Sequence, residues 1–318
     1  MINICFMGNP KFAVQTLDVL YNDENINVSL VVSSKDKKRS RNKFSPTEIK
    51  KYAEDKGIRV ETPDSVNTEE FVGLLKDLKI DFIVVVAFGQ LLKDVLLDNF
   101  KDRIINLHPS KLPLYRGASP IQFSLLNGEE ETSATAMLIE KGMDSGDILI
   151  QKDYKIDPSE DYFDLEEKLG ALGAEAIREA ILNFDEVYAK RIKQDDSKAT
   201  FCTKISKEMG RIDFTRTSRE ILNQIRALVG FPVAYFPYKG ENIKIHKASL
   251  ASNKKGEAGE ILAANKNDLI LIATGDSAIR IEKIQVPGKK AMDTKSFLLG
   301  NDLEIGYIID NDWFKDNI

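Results

Sequence analysis

Cysteine and histidine are scarce in this chain of 318 residues, which contains two of each. Cys5 and Cys202 are too few for a disulfide framework or, alone, for a zinc site. With only His108 and His246, a metalloenzyme built on a histidine cluster is close to excluded. No run approaches the roughly 18 apolar residues of a transmembrane helix, and the first residues resemble a strand rather than a secretory signal. We therefore expect a cytoplasmic protein that binds no metal.

The charge of the chain is unevenly distributed. In total, 45 basic residues oppose 50 acidic ones, which gives a net charge of -5. Residues 1–203 contain 27 basic and 35 acidic residues, whereas residues 204–300 contain 17 and 10, a net charge of +7. A basic block of about a hundred residues on an otherwise acidic chain indicates a polyanionic partner. The run 35–43 has six basic residues and one acidic residue, and it is either a further contact for that partner or a solvated loop.

Hydrophobic patterning predicts two domains of different class. Near the N-terminus, short apolar runs alternate with segments of helical periodicity, and the continuous β-branched run 81–87 is typical of a parallel strand buried on both faces. This pattern predicts an α/β fold, a Rossmann-like open and mostly parallel sheet, over residues 1–189. After a polar linker at 190–203, short strands separated by turn residues predict a small OB-like β-barrel over residues 204–318.

The turn Gly8-Asn9-Pro10 follows the first predicted strand, where a dinucleotide-binding protein would carry its glycine-rich fingerprint. That fingerprint needs three glycines, and positions 10 and 13 are Pro and Ala. NAD binding is therefore disfavoured. The turn is either purely structural or a place where a ligand approaches the backbone.

Three polar residues form the candidate catalytic group. Asn106 and His108 are two positions apart at the end of a predicted strand, so both side chains leave the same face. An amide donor beside an imidazole suits stabilisation of a tetrahedral oxyanion with acid–base help. Asp144 lies in a glycine-flanked turn further along and could orient the imidazole or collect a proton. The alternatives are a histidine packed in the core and a solvated turn acid.

The segments around these residues resemble the folate-dependent formyltransferases. In the catalytic half the resemblance rests on Asn106-Leu107-His108-Pro109-Ser110, Leu112-Pro113, Arg116-Gly117-Ala118 and Gly142-Met143-Asp144-Ser145-Gly146-Asp147. In the C-terminal part, Ile225-Arg226-Ala227 and Gln285-Val286-Pro287-Gly288-Lys289-Lys290-Ala291-Met292 make the resemblance closest to the branch that acts on methionyl-tRNA. Asn9 and Lys93 depart from the pattern, which usually has Thr and Pro there, and the run 35–43 lacks the glycines common in its counterpart.

The resemblance implies transfer of a formyl group from 10-formyltetrahydrofolate to the α-amine of methionine esterified to initiator tRNA. It implies that Asn106 and His108 stabilise the alkoxide, that Asp144 steers His108 and relays the amine proton, and that no metal takes part. The residues that it assigns to the folate co-substrate are Ser110, Lys111, Leu112 and Pro113, with Phe88 and Gly89 on the pterin side. We expect the chain to act as a monomer.

The resemblance also gives the basic segments a role in binding tRNA. The residues it assigns to this contact are Lys35, Lys37, Lys38, Arg39, Arg41, Lys43, Lys289 and Lys290. The nearest rival is a formyltransferase that acts on an amino-sugar nucleotide, but such a small substrate needs no basic domain. A noncatalytic RNA-binding protein is a third hypothesis, which the joint presence of Asn106, His108 and Asp144 disfavours.

Overall fold

A computed structural model describes residues 1–38, 44–251, 255–267 and 269–310 of the chain. The fold divides into two compact units. The first unit contains residues 1–120, 131–156 and 166–202, and the second contains residues 121–130, 157–165 and the chain from residue 203 onward. The boundaries predicted at 189 and 204 stay predictions, although residues 190–202 group with the first unit rather than apart from it.

In the part of the first unit that the structure describes, a seven-stranded sheet forms the centre. Its strands lie in the order β10 (Ile148–Lys155), β9 (Glu131–Leu138), β7 (Ile104–His108), β6 (Phe82–Val86), β1 (Ile2–Gly8), β2 (Ile26–Val32) and β5 (Val60–Glu61). The five strands from β5 to β7 are mutually parallel, and β9 is antiparallel to both of its neighbours. Up to residue 202 the elements are β1 (Ile2–Gly8), α1 (Lys11–Tyr21), β2 (Ile26–Val32), β3 (Lys37–Lys38), β4 (Phe44–Ser45), α2 (Glu48–Asp55), β5 (Val60–Glu61), α3 (Glu69–Asp77), β6 (Phe82–Val86), α4 (Asp94–Asn99), β7 (Ile104–His108), β8 (Arg116–Gly117), α5 (Pro120–Leu126), β9 (Glu131–Leu138), β10 (Ile148–Lys155), α6 (Tyr162–Leu182), α7 (Phe184–Ala189) and β11 (Phe201–Cys202).

Local sequence explains the central strands and the helices beside them. Every residue of β6 is buried, because a strand between parallel neighbours is covered on both faces. Helix α3 begins after Thr68, whose hydroxyl accepts a hydrogen bond from the backbone N–H of Phe71, and it buries Phe71, Val72 and Leu75. These three residues pack in one core with side chains of β1, β2 and β6. The mostly parallel sheet predicted for the first half of the chain is confirmed.

A topological switch point lies between the parallel strands β1 and β6. From β1 the sheet continues through β2 to one edge, and from β6 it continues through β7 to the other. In open α/β sheets, the crevice beyond the carboxyl ends of the strands at such a switch point is where ligands bind. The loops after Gly8, Val86 and His108 all leave this end of the sheet.

The second unit contains an antiparallel sheet of β12, β13, β16, β15 and β14, with β17 paired to β16. In the described residues no pairing joins β12 to β14, so the small β-barrel predicted from the sequence is confirmed as an antiparallel half-barrel. Alternation along the strands supplies its core: Ile243 and Ile245 are buried, whereas Lys244 between them is exposed. From residue 203 the elements are α8 (Ser218–Ala227), β12 (Tyr235–Tyr238), β13 (Glu241–Leu250), β14 (Ile261–Asn265), β15 (Leu269–Ala273), β16 (Ala278–Gln285), β17 (Met292–Asp293) and α9 (Thr294–Phe297). Within the described ranges, no helix combines the length and the apolar composition needed to cross a membrane.

Candidate active site

Strand β7 presents Asn106 and His108 from the interior of the sheet. Its neighbours β6 and β9 pair with it on both sides, so the backbone at these two residues is fixed by ladder hydrogen bonds. His108 is 4% exposed. Asn106 is half-buried and lines a cleft at the end of the strand. In the part of the chain that the structure describes, the side-chain amide of Asn106 has no hydrogen-bond partner, which leaves its N–H groups available to a ligand.

The backbone carbonyl of Tyr115 determines the tautomer of His108. Nε2 of His108 lies 2.9 Å from this oxygen, and because a carbonyl can only accept, Nε2 must carry the hydrogen and donate it. The same carbonyl also accepts from the Cys202 thiol at 3.4 Å, and burial raises the pKa of this thiol and so keeps its hydrogen in place. In the neutral ring, Nδ1 of His108 is therefore the basic nitrogen.

Asp144 lies beside that nitrogen. Its Oδ2 is 3.6 Å from Nδ1 of His108 and accepts a hydrogen bond of 2.9 Å from the backbone N–H of Gly117. The first distance is too long for a hydrogen bond, as expected between two acceptors, but short enough for an ion pair once Nδ1 takes up a proton. The backbone of Asp144 is left-handed, with φ of 48°, so the turn around it must be held by other contacts.

Gly117 can reach Asp144 only as a glycine. Its φ is 125°, a conformation open to glycine alone, and a Cβ at this position would lie 2.2 Å from the carbonyl oxygen of Cys202. Its strand β8 pairs with β11, which contains Cys202. Cys202, in the stretch 190–203 that is predicted to be a linker, lies in the first unit and supports the segment that holds Asp144.

Gln194 was not singled out by the sequence, yet it is buried beside the turn that carries Asp144. Its Nε2 donates to the carbonyl oxygens of Asp144 (2.9 Å) and Gly146 (2.8 Å). Its Oε1 accepts from Nε (3.0 Å) and a terminal nitrogen (2.8 Å) of Arg116, which is itself buried. Nothing in the sequence around Gln194 signals this role, because its neighbours are polar and without periodicity. The one available signal is that a buried arginine such as Arg116 needs a polar side chain to accept its hydrogen bonds.

A cleft of about 730 Å³ opens at the carboxyl ends of β6 and β7. One wall is the loop after β6, with Phe88 and Gly89, and the other is the turn that contains Asp144. Its interior is mainly apolar, and its lining includes Val85, Leu92, Leu97, Asn106, Met137 and Ile139. Concave apolar sites with a few polar groups are typical of small-molecule binding.

The predicted folate loop 110–113 is held by its own contacts and does not line this cleft. The Ser110 hydroxyl donates to the carbonyl of Leu114 at 2.6 Å, and Leu112 is buried against Met137 and Ile148. Lys111 forms ion pairs with Glu131 and Asp153. Of the six residues predicted to bind folate, the structure thus brings Phe88 and Gly89 together with Asn106 and Asp144. Ser110, Lys111, Leu112 and Pro113 follow His108 in the chain, and the Ser110 backbone N–H donates to the His108 carbonyl at 3.0 Å.

Asn9, which lies in the turn after β1 and departs from the family pattern, connects three loops near the cleft. Its Oδ1 accepts from the Ser33 hydroxyl (3.0 Å) and the Ser34 backbone N–H (2.8 Å). Its Nδ2 donates to the backbone carbonyl of Phe88. Asn9 therefore fixes the loop that forms one wall of the cleft.

The residues predicted to bind tRNA are in part accessible. Lys289 and Lys290 are exposed in the turn between β16 and β17, and Lys35 is exposed with its ammonium 2.6 Å from Asp64. The backbones of Lys37 and Lys38 form β3, whereas Arg39, Arg41 and Lys43 lie outside the described residues. Their roles stay predictions.

The site can therefore offer an amide donor, an imidazole of defined tautomer and a carboxylate. Such a set performs acid–base and oxyanion chemistry rather than covalent catalysis. Within the described ranges no three His, Cys, Asp or Glu side chains are arranged to hold a metal ion.

Comparison with known protein families gives two matches. Residues 2–181 match a family described as formyl transferase, and residues 204–302 match one described as formyl transferase, C-terminal domain. The chain is also 42% identical over 307 residues to the methionyl-tRNA formyltransferase of Finegoldia magna, a match that covers 96% of this chain and 99% of that relative.

Two solved structures resemble the fold. The sugar 3N-formyl transferase WlaRD, solved in the presence of dTDP and 5-N-formyl-THF, has a TM-score of 0.65 and 26% identity over 91% of this chain and 99% of its own. The methionyl-tRNA formyltransferase from Clostridium thermocellum has a TM-score of 0.53 and 19% identity over 80% of this chain and 96% of its own.

Proposed function

Because this chain belongs to the methionyl-tRNA formyltransferases, we propose that its cleft transfers a formyl group from 10-formyltetrahydrofolate to the α-amino group of methionine on initiator tRNA. The observation that carries the proposal is the grouping of Asn106, His108 and Asp144. Two of them line the apolar cleft, and the third lies 3.6 Å from Asp144. The proposed activity belongs to translation initiation, so we expect the protein to act in the cytoplasm.

The cleft suits the formyl donor. A flat heteroaromatic group fits between apolar walls, and the main chain of the loop after β6, with Gly89 at φ of 84°, offers polar groups at its edge. The formyl donor supplies an acyl carbon that already carries a leaving nitrogen. The solved sugar formyltransferase with 5-N-formyl-THF supports a folate site in this fold.

Proton transfer is the task of the His108–Asp144 pair. The attacking amine must lose a proton as its bond to the formyl carbon forms. Nε2 of His108 already donates to the Tyr115 carbonyl, so Nδ1 of His108 accepts the proton, beside the Asp144 carboxylate. The negative charge of Asp144 stabilises the imidazolium. The pair then returns the proton to the nitrogen that leaves the formyl carbon.

Asn106 is the neutral donor for the oxygen that becomes negatively charged. Its side chain lines the cleft from a strand paired on both sides, so the amide needs little reorganisation during the reaction. His108 adds to this stabilisation only through its positive charge after Nδ1 is protonated, because its other N–H is bonded to Tyr115. This differs from the resemblance, which implies that both side chains hold the alkoxide.

The acceptor decides between this function and the rival one. The protein is incubated with 10-formyltetrahydrofolate and an equimolar mixture of methionyl-tRNA and a dTDP-linked amino sugar, and both products are quantified by mass spectrometry. We expect formylmethionine on the tRNA and no formylated sugar. Formylation of the sugar alone would overturn the proposal. A parallel reaction with methionine alone measures how far the tRNA is required.

A further inference from the structure

Gln194 uses its whole hydrogen-bonding capacity on two segments that flank the candidate catalytic pair. A primary amide has two donors and an oxygen that accepts twice. Both donors go to carbonyl oxygens of the turn containing Asp144, and both acceptor positions go to Arg116. Gln194 is 6% exposed, so water cannot replace these partners freely.

The two segments that Gln194 joins are the ones that orient the pair. Arg116 lies between Tyr115, whose carbonyl accepts from His108, and Gly117, whose N–H donates to Asp144. At the other end of Gln194 is the backbone of Asp144 itself, in a left-handed conformation that must be held from outside. A displacement at Gln194 would therefore change the distance between Asp144 and His108.

We propose that Gln194 is a positioning residue for formyl transfer. It acts through Asp144, and Arg116 orients it. The effect on kcat rests on the proposed function, whereas the effect on the position of Asp144 rests on the geometry alone. Arg116 is in turn anchored by Asp196, 2.8 Å from its guanidinium, which completes a chain from the surface to the catalytic turn.

The test is the substitution Gln194→Glu, which preserves shape and removes both donors. The introduced carboxyl can still accept from Arg116, but it lies against two carbonyl oxygens and repels them. We expect kcat to fall at least tenfold, because small misplacements of catalytic groups are costly. KM for methionyl-tRNA and for the folate should change less than twofold. A kcat within twofold of wild type, with wild-type circular dichroism, would overturn the proposal.

Gln224 provides a matched control in the second unit. It is also buried, and its Nε2 donates to two carbonyl oxygens of one turn, those of Met209 (2.8 Å) and Arg211 (2.9 Å). Gln224→Glu should lower the unfolding temperature about as much as Gln194→Glu and leave kcat near the wild-type value. Equal losses of kcat in the two variants would show that Gln194 has only a structural role and would overturn the proposal.

A double-mutant cycle tests whether Gln194 acts through Asp144. On an Asp144→Ala background, Gln194→Glu should lower kcat by less than twofold, since the group that it positions is absent. A further tenfold loss on that background would contradict positioning of Asp144.

A structural measurement separates this inference from the proposed function. Crystal structures of the wild type and of Gln194→Glu compare the distance from Asp144 Oδ2 to the Gly117 nitrogen, 2.9 Å here. We expect this hydrogen bond to be broken in the variant. An unmoved Asp144 would refute the inference even if the enzyme formylates methionyl-tRNA. A displaced Asp144 would support it even if the wild type formylates another acceptor.

Discussion

At the scale of single residues, the candidate site depends on main-chain groups as much as on side chains. The Tyr115 carbonyl assigns the hydrogen of His108 to Nε2, and the Gly117 N–H holds Asp144. Both groups belong to an irregular segment whose conformation requires a glycine at 117. Backbone atoms therefore orient His108 and Asp144, and they can do so only because Gly117 adopts a conformation open to glycine.

Sequence reasoning found Asn106, His108 and Asp144 because residue type and strand position indicate chemistry. It could not find the contacts that orient them. Gln194 lies fifty residues from Asp144 and in a stretch without periodicity, and its importance arises only when the chain folds back. The tautomer of His108 was equally inaccessible, because it depends on one carbonyl in an irregular loop.

At the scale of secondary-structure elements, helix α8 is stabilised by a complete capping box. The Thr217 hydroxyl accepts from the Glu220 backbone N–H, and the Glu220 carboxylate accepts from the Thr217 N–H at 2.9 Å. Arg216 lies 2.8 Å from the same carboxylate. These contacts lower the pKa of Glu220 to about 2, and the hydrogen bonds from Thr217 have the largest effect.

This lowered pKa predicts a pH-dependent contribution to stability. The unfolded value is 4.5, so the carboxylate contributes fully above pH 4.5 and loses its contribution as the pH falls toward about 2. At pH 7, Glu220→Gln should therefore reduce the free energy of unfolding by about 0.5–1 kcal/mol, a value limited by solvent screening. Thermal unfolding of both proteins at pH 7, 5, 4 and 3 measures the difference. A difference that stays constant to pH 3 would contradict the assignment.

The elements themselves were largely predictable. The run 81–87 contains β6, because burial on both faces of a strand leaves a continuous apolar run in the sequence. The small β-barrel was predictable from the number and spacing of its short strands, but these do not reveal whether the first and last strands of the sheet pair. The stretch 190–203 is predicted to be a linker because it is polar, and its two-residue strand β11 is too short to leave a hydrophobic pattern in the sequence.

At the scale of the whole molecule, charge and chemistry are divided between the two halves of the sequence. The acidic half contains the candidate catalytic residues, and the basic half contains the antiparallel sheet. The family resemblance seen in the sequence is confirmed by the two matched domains and by the relative from Finegoldia magna. If the basic half binds the proposed tRNA substrate, its positively charged side chains must contact phosphates.

The exposed turn with Lys289 and Lys290 provides a test of this division. Replacement of both lysines by Ala should weaken binding of methionyl-tRNA and reduce the slope of log K against log salt by about 0.7–0.9 for each phosphate that the protein no longer neutralises. The control replaces Lys76 on α3 and Lys190 immediately after α7, which are both exposed in the first unit, and should leave the slope unchanged. Filter binding over a range of salt concentrations measures both. Equal slopes in all three proteins would exclude contact between this turn and phosphate.

The most direct test of the account compares the two histidines in a single turnover. His108→Ala and His246→Ala are each mixed in excess with methionyl-tRNA and saturating 10-formyltetrahydrofolate, and the rate of formylmethionyl-tRNA formation is followed by rapid quench. His246 bonds to Gln285 in the second unit and takes no part in the proposed chemistry. We predict a rate at least about a hundredfold below wild type for His108→Ala, with tRNA binding retained, and a wild-type rate for His246→Ala. A near-normal rate for His108→Ala would remove the His108–Asp144 pair from the reaction and contradict the central claim.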